Sequence, residues 1–133
     1  MKLLLVLVAV AQATFVHSKC PPPEVLVIKE VTICEREQST LTCPFGSSIQ
    51  IHEAFYGRQN NHICRHPSAT DGSNINEICS SPNALENVKN KCNGHRECNI
   101  SSASNWLVDP CKNTYKYLEV SYSCSEPQYN LGN

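Results

Sequence analysis

The chain has 133 residues, of which 17% are charged, and a formal net charge of −1, so it holds one compact domain and lacks the clustered Lys and Arg that a nucleic-acid binder requires. Nine cysteines at this length indicate an exported domain held together by disulfides.

Lys2 is followed by the apolar run Leu3 to Val10 and then by shorter, less apolar residues ending in Val16-His17-Ser18. That is the layout of a secretory signal peptide over residues 1–18, although Ala11-Gln12-Ala13 offers an earlier small-x-small pattern. The run is far short of the roughly 20 apolar residues that span a bilayer, so a soluble, secreted, extracellular product with no membrane span is expected. Cleavage removes Lys2 and leaves ten basic against twelve acidic residues.

Residues 19–32 form an N-terminal segment that starts with Cys20 and the linker Pro21-Pro22-Pro23. Glu24 to Ile33, dense in Val, Ile and Leu, predicts a strand. A short second strand follows at Leu41 to Cys43, and Ile49 and Ile51, alternating with Gln50 and His52, predict a third that delivers Tyr56 at its end. Gln59 to Glu77, rich in Asn, Asp, Gly and Ser, predicts a loop. A helix is expected over Pro82 to Lys91, with Ser81 as N-cap, Pro82 in the first turn, Leu85 and Val88 on one face, and Asn93-Gly94 as the stop. Leu118, Val120, Tyr122 and Cys124 alternate with Glu119, Ser121 and Ser123 in a last strand, and the tail over 125–133 is expected to be mobile. The sum is a mainly β protein, a small disulfide-stapled antiparallel β-sandwich with one α-helix and long structured loops.

Eight cysteines permit roughly a hundred pairings, of which spacing favours only the short loop from Cys92 to Cys98. Their order is more telling. Cys34-Glu35, Leu41-Thr42-Cys43, Tyr56-Gly57-Arg58, Cys92-x5-Cys98, Ser104-Asn105, Asp109-Pro110-Cys111 and Lys116-Tyr117-Leu118 follow one another in a pattern that resembles the sea-urchin-egg-lectin (SUEL) type of rhamnose- or galactose-binding lectin domain, from about residue 33 to 124.

The resemblance implies the pairs Cys34 with Cys64, Cys43 with Cys124, Cys79 with Cys111, and Cys92 with Cys98. It also implies a carbohydrate site at Glu35, Tyr56, Asn105, Asp109 and Lys116 that works without calcium, cofactor or catalysis. The chemistry of those residues suits a sugar: Glu35 and Asp109 accept from hydroxyls, Lys116 donates, Asn105 does both, and Tyr56 supplies a ring and a phenol. Gly57, Arg58 and Pro110 belong to the structural part of the motif, with Arg58 expected to orient a carboxylate. Trp106 is read equally well as a sugar platform or as half-buried packing. One departure stands out: Asn105 is separated from Asp109 by one residue fewer than in related domains, and Val108 occupies the place of their glycine, so a narrower pocket with weaker rhamnose binding is expected.

His62-x-Cys64-x-His66 has the outline of a metal cluster, but Cys64 belongs to a disulfide in the resemblance, and no metal is expected there. The same argument removes a Cys/His nucleophile, and no enzymatic activity is expected. The expected partners are rhamnosides or galactosides on glycoproteins or microbial surface glycans, with no nucleic acid. The alternative is a protein-binding module that kept the scaffold and lost or altered the sugar site. Asn99-Ile100-Ser101 is an N-glycosylation acceptor beside Cys98, and Cys20, the odd cysteine, predicts a disulfide-linked homodimer.

Overall fold

The structure is a computed structural model that describes residue 20 and residues 25–65 and 78–126. The signal segment 1–18, the proline linker, the loop over 66–77 with His66, and the tail over 127–133 lie outside the described residues. Six strands and one helix follow in the order β1 (Lys29–Cys34), β2 (Gln38–Thr42), β3 (Ser48–Arg58), β4 (Cys79–Ser80), α1 (Ala84–Cys92), β5 (Glu97–Ser101) and β6 (Tyr117–Ser125). All pairings are antiparallel, in one sheet of order β1-β6-β3-β4 and a second of β2 and β5. The fold is mainly β, as the alternation in the sequence predicts.

The core gathers inward residues of both sheets and the helix, among them Ile33, Leu41, Ile51, Val88, Ile100 and Leu118. Helix α1 contributes Ala84, Val88 and Cys92, spaced four apart on one face. Four disulfides join Cys34 to Cys64, Cys43 to Cys124, Cys79 to Cys111 and Cys92 to Cys98, the pairs that the resemblance implies. Each stabilises a domain of this kind by about 2–4 kcal/mol, chiefly by restricting the unfolded chain, and the contributions are not additive.

Several local expectations are corrected. The first strand begins at Lys29 rather than Glu24, because its ladder with β6 starts at the Lys29–Tyr122 pair. Val25 to Ile28 have no sheet partner and are exposed despite being apolar. The helix begins at Ala84, two residues late. Ser81 is not its N-cap, a place that Asn83 takes; the Ser81 N–H instead donates to the Tyr56 carbonyl at 2.7 Å and so prolongs the β3–β4 ladder. The two-residue strand β4 is too short to be read from sequence and exists through its partner β3, whereas β5, absent from the expected elements, does alternate buried Cys98 and Ile100 with exposed Glu97 and Asn99.

The third strand holds a device that alternation alone does not reveal. Strict period-two geometry from Ile49 and Ile51 would turn Glu53 and Phe55 inward and Tyr56 outward. A register shift between Ile51 and Glu53 adds one residue, His52, whose Nε2 lies 2.7 Å from the Ser123 hydroxyl. The bulge reverses the parity, so Ala54 packs against the core and Tyr56 is fully buried in it.

Gly57 follows with φ of 153°. A Cβ there would collide with the Cys79 carbonyl oxygen, so only glycine lets β4 close onto β3 at the Gly57–Ser80 pair. Gly57→Ala is therefore expected to lower stability by about 2 kcal/mol or more, read as a lower urea midpoint. A midpoint equal to that of the parent would show that β4 does not need this close approach.

Candidate functional site

Pairing across the four-stranded sheet brings distant parts of the sequence to one end. Tyr117 opens β6 opposite Cys34 of β1 on one side and Gly57 of β3 on the other. The residue after β1, the residue before β6 and the third residue from the end of β3 thus become neighbours: Glu35, Lys116 and Tyr56. The Glu35 N–H donates to the Lys116 carbonyl at 2.9 Å, and the Lys116 N–H donates to Glu35 Oε2 at 3.2 Å. The fourth member, Asp109, comes from the loop after β5, which the Cys79–Cys111 bond fastens to β4.

At the centre is the Lys116 ammonium, 3% exposed. It donates to the Thr114 carbonyl at 2.7 Å and the Cys111 carbonyl at 3.3 Å, and lies 3.1 Å from Glu35 Oε1 and 3.5 Å from Asp109 Oδ1. An ammonium has three protons, and these four protein oxygens occupy them. Lys116 therefore holds the two carboxylates in place rather than reaching outward. Asp109 Oδ1 also accepts the Cys111 N–H at 2.9 Å, an Asx turn across Pro110 that fixes the loop, while Oδ2 has no partner among the described residues. Both carboxylates keep some exposure, 21% for Glu35 and 27% for Asp109.

Tyr56 is the other unusual member. Its ring is core, yet its hydroxyl is buried and has no hydrogen-bond partner. Burial first, and then the charges of Glu35 and Asp109, push its pKa well above the usual phenol range, so it stays a neutral donor at any physiological pH. A buried unpaired hydroxyl costs about 1–3 kcal/mol, which makes it a group with a ligand to gain.

The remaining positions divide. Asn105 stands exposed in the turn before Trp106 and makes no hydrogen bond to Glu35, Lys116 or Asp109. Trp106 is packing: its Nε1 donates to the Ser101 carbonyl at 2.9 Å, and Lys91 Nζ sits 5.4 Å from its ring centre. Val108 is 51% exposed and has no left-handed backbone, so the valine in the glycine's place is not strained. Arg58 is fully buried, and among the described residues its hydrogen bonds go to backbone carbonyls and not to a carboxylate. Its guanidinium donates to the carbonyls of Tyr115, Asn60, Ile63 and Cys64 and lies 5.4 Å from the Tyr117 ring centre, which shapes the loop after β3. Sequence reasoning passed over Tyr115, whose half-buried phenol donates to the Glu35 carbonyl at 3.4 Å. The signal was available in its place directly before Lys116.

A second concavity, about 510 Å³, lies away from this cluster on the outer face of the four-stranded sheet, over Glu30, Glu53, Phe55 and Glu119. Burial, and then the charge of Glu30, raises the pKa of Glu119 there.

A disulfide-bonded β domain that presents two fixed carboxylates beside an unsatisfied phenol is built as a binding module. Comparison with known proteins gives it a family. The chain belongs to the SUEL lectins: the D-galactoside/L-rhamnose binding SUEL lectin domain matches residues 41–124. It is 40% identical over 102 residues to L-rhamnose-binding lectin ELEL-1 of Echinometra lucunter, covering 76% of this chain and 95% of that protein. To the D-galactoside-specific lectin of Heliocidaris crassispina it is 36% identical over 98 residues, covering 74% and 91%. It is also 35% identical over 117 residues to adhesion G protein-coupled receptor L1 of Mus musculus, covering 88% of this chain and 8% of that protein.

Removing the central cation tests its positioning role. Lys116→Met leaves two carboxylates and two carbonyls without their donor and is expected to cost about 2–3 kcal/mol, below the ~3–5 kcal/mol of a fully buried pair because both carboxylates retain water. Urea unfolding of Lys116→Met, Glu35→Gln and the double variant measures the coupling, and strict additivity would contradict it.

Proposed function

We propose that the chain is a secreted, calcium-independent lectin that binds L-rhamnose- or galactose-like sugars of glycoproteins or microbial surface glycans and carries out no catalysis. The observation that carries this reading is the Tyr56 hydroxyl, buried without a partner against the partly open carboxylates of Glu35 and Asp109. Two neighbouring sugar hydroxyls supply what the cluster lacks: protons for free lone pairs on Glu35 and Asp109, and an oxygen for the phenol to donate to. Lys116 neutralises the carboxylates from below, the task that a bound cation performs in a calcium-dependent site, and this favours metal independence. Asn105, exposed on the neighbouring turn, is a rim contact in this reading, and Val108 sets the width of the pocket mouth. The printed names of the two sea-urchin relatives support the sugar class.

Asp109→Asn retains the Oδ1 acceptor of the turn but removes the charge. It is expected to weaken rhamnose or galactose binding at least about tenfold in calorimetric titration, a loss of roughly 1.4 kcal/mol, and to lower the thermal melt as well, because the buried Lys116 ammonium loses one of its two carboxylates. Addition of EDTA should leave the parent's affinity unchanged. Binding that disappears in EDTA would overturn the metal-free mechanism.

A second reading, a module for a protein partner, is favoured by the groove on the outer sheet face. Among the described residues no Lys, Arg or His pairs with its Glu30, Glu53 or Glu119, and Phe55 adds apolar surface. A glycan array separates the two readings, since a protein module gives no saturable sugar signal.

We further propose a homodimer through Cys20. This thiol is exposed and free, whereas the other eight cysteines are bonded, and Val25 to Ile28 beyond it expose apolar surface for a second copy to cover. Two linked sites raise avidity on a dense glycan surface without any new sugar contact. Non-reducing electrophoresis should give a band of twice the monomer mass that collapses with reductant and is absent in Cys20→Ser. A monomer band in the parent would rule the bridge out.

A further inference from the structure

Asn99-Ile100-Ser101 is the one Asn-x-Ser/Thr triplet in the chain, and it forms the end of β5. Ile100 is 2% exposed and points into the core, so Asn99 points outward, where it is exposed. The fold treats the two ends of the Asn99 amide differently. Its Oδ1 accepts the Thr40 hydroxyl across the strand pair at 2.5 Å, whereas Nδ2 makes no hydrogen bond among the described residues. N-glycosylation substitutes Nδ2 alone, so the Thr40 bond and the β2–β5 register survive the modification. Asn99 lines an open hollow of about 410 Å³ together with Gln38, Ser39 and Thr40, mostly polar and roomy enough for one N-acetylhexosamine.

The third residue of the triplet bears on timing. In the folded protein the Ser101 hydroxyl accepts from Trp106 Nε1 at 3.3 Å, and β5 is paired with β2. A transferase needs that hydroxyl free and the segment unpaired.

We infer that Asn99 carries an N-linked glycan, attached before β5 pairs with β2 and lying over the outer face of the two-stranded sheet. The inference rests on the export proposed above. In the transfer, Asn99 Nδ2 attacks the anomeric carbon of a lipid-pyrophosphate-linked oligosaccharide. The C–N bond forms as the bond from carbon to pyrophosphate oxygen breaks, the lipid pyrophosphate leaves with the electron pair, and the Nδ2 proton passes to a base of the transferase. The glycan then covers Asn99 and Thr40, on a different sheet from Tyr56, so the sugar site stays open.

The test is expression of the full chain in secreting eukaryotic cells, with a second arm in which an established secretory leader replaces residues 1–18. The second arm enters the secretory route whatever the native leader does, which separates failure of this inference from failure of the export reading. The expected result is a secreted species heavier than the bare polypeptide that peptide N-glycosidase F returns to polypeptide mass, leaving Asp in place of Asn at position 99. Asn99→Gln and Ser101→Ala should each abolish the shift, and Ser101→Thr, which keeps the hydroxyl, should retain it even if one of the other variants fails to fold. Secreted protein of bare polypeptide mass in the second arm would overturn the inference. Mild reductant given to the cells, which delays closure of the Cys92–Cys98 loop, should raise the occupied fraction. An unchanged, incomplete fraction would overturn the proposed timing.

Discussion

The buried ammonium of Lys116 is the interaction on which the rest of the site depends. A cation at 3% exposure persists only if the surrounding oxygens repay its desolvation, and two carbonyls with two carboxylates do so here. Those oxygens come from the residue after β1, the Asp109 loop and the turn that precedes β6. Holding the cation therefore requires β1 paired with β6 and the loop fastened by Cys79–Cys111. Arg58 does the same for the opposite flank. Its guanidinium gathers carbonyls from the loop after β3 and from Tyr115, while Cys34–Cys64 ties that loop to the end of β1. Two buried cations and two disulfides thus make one end of the sheet rigid.

Rigidity matters because the site is left unsatisfied. Tyr56 keeps a buried donor without an acceptor, and a softer scaffold would relax until the phenol found one. The His52 bulge decides that this residue faces inward at all, and Gly57 lets β4 press against the strand just beyond it. Stability is given up at the Tyr56 hydroxyl so that a ligand's hydroxyls meet preorganised partners, and reorganisation at the moment of binding is small.

Much of this was legible in the sequence, for physical reasons that differ by element. β6 and the first half of β3 show plain alternation because one face is core and the other is not, and the cysteine order carried the family. The β-bulge was not legible, since the parity of Tyr56 depends on a cross-strand register that no local pattern encodes. The residues Glu35, Tyr56, Asp109 and Lys116 were singled out and do meet, whereas Asn105 lies on a separate turn. The role of Lys116 was missed because sequence shows a charge but not its burial, and only the folded chain reveals that carbonyls occupy its protons. Arg58 was foreseen as structural, yet its partners are backbone carbonyls, which every residue carries and no sequence pattern marks. Ser81 is not the N-cap because the helix starts later, at Ala84, and Asn83 takes that place while the Ser81 N–H extends the β3–β4 ladder.

The measurement closest to the central claim is a paired stability and binding study of Tyr56→Phe, which removes one oxygen and leaves the ring. If the hydroxyl is held unsatisfied for a ligand, the variant should be as stable as the parent or more so, by up to about 1–3 kcal/mol in urea unfolding, and should lose affinity for rhamnose or galactose at least about tenfold. A variant that is less stable yet binds sugar as tightly as the parent would contradict the account.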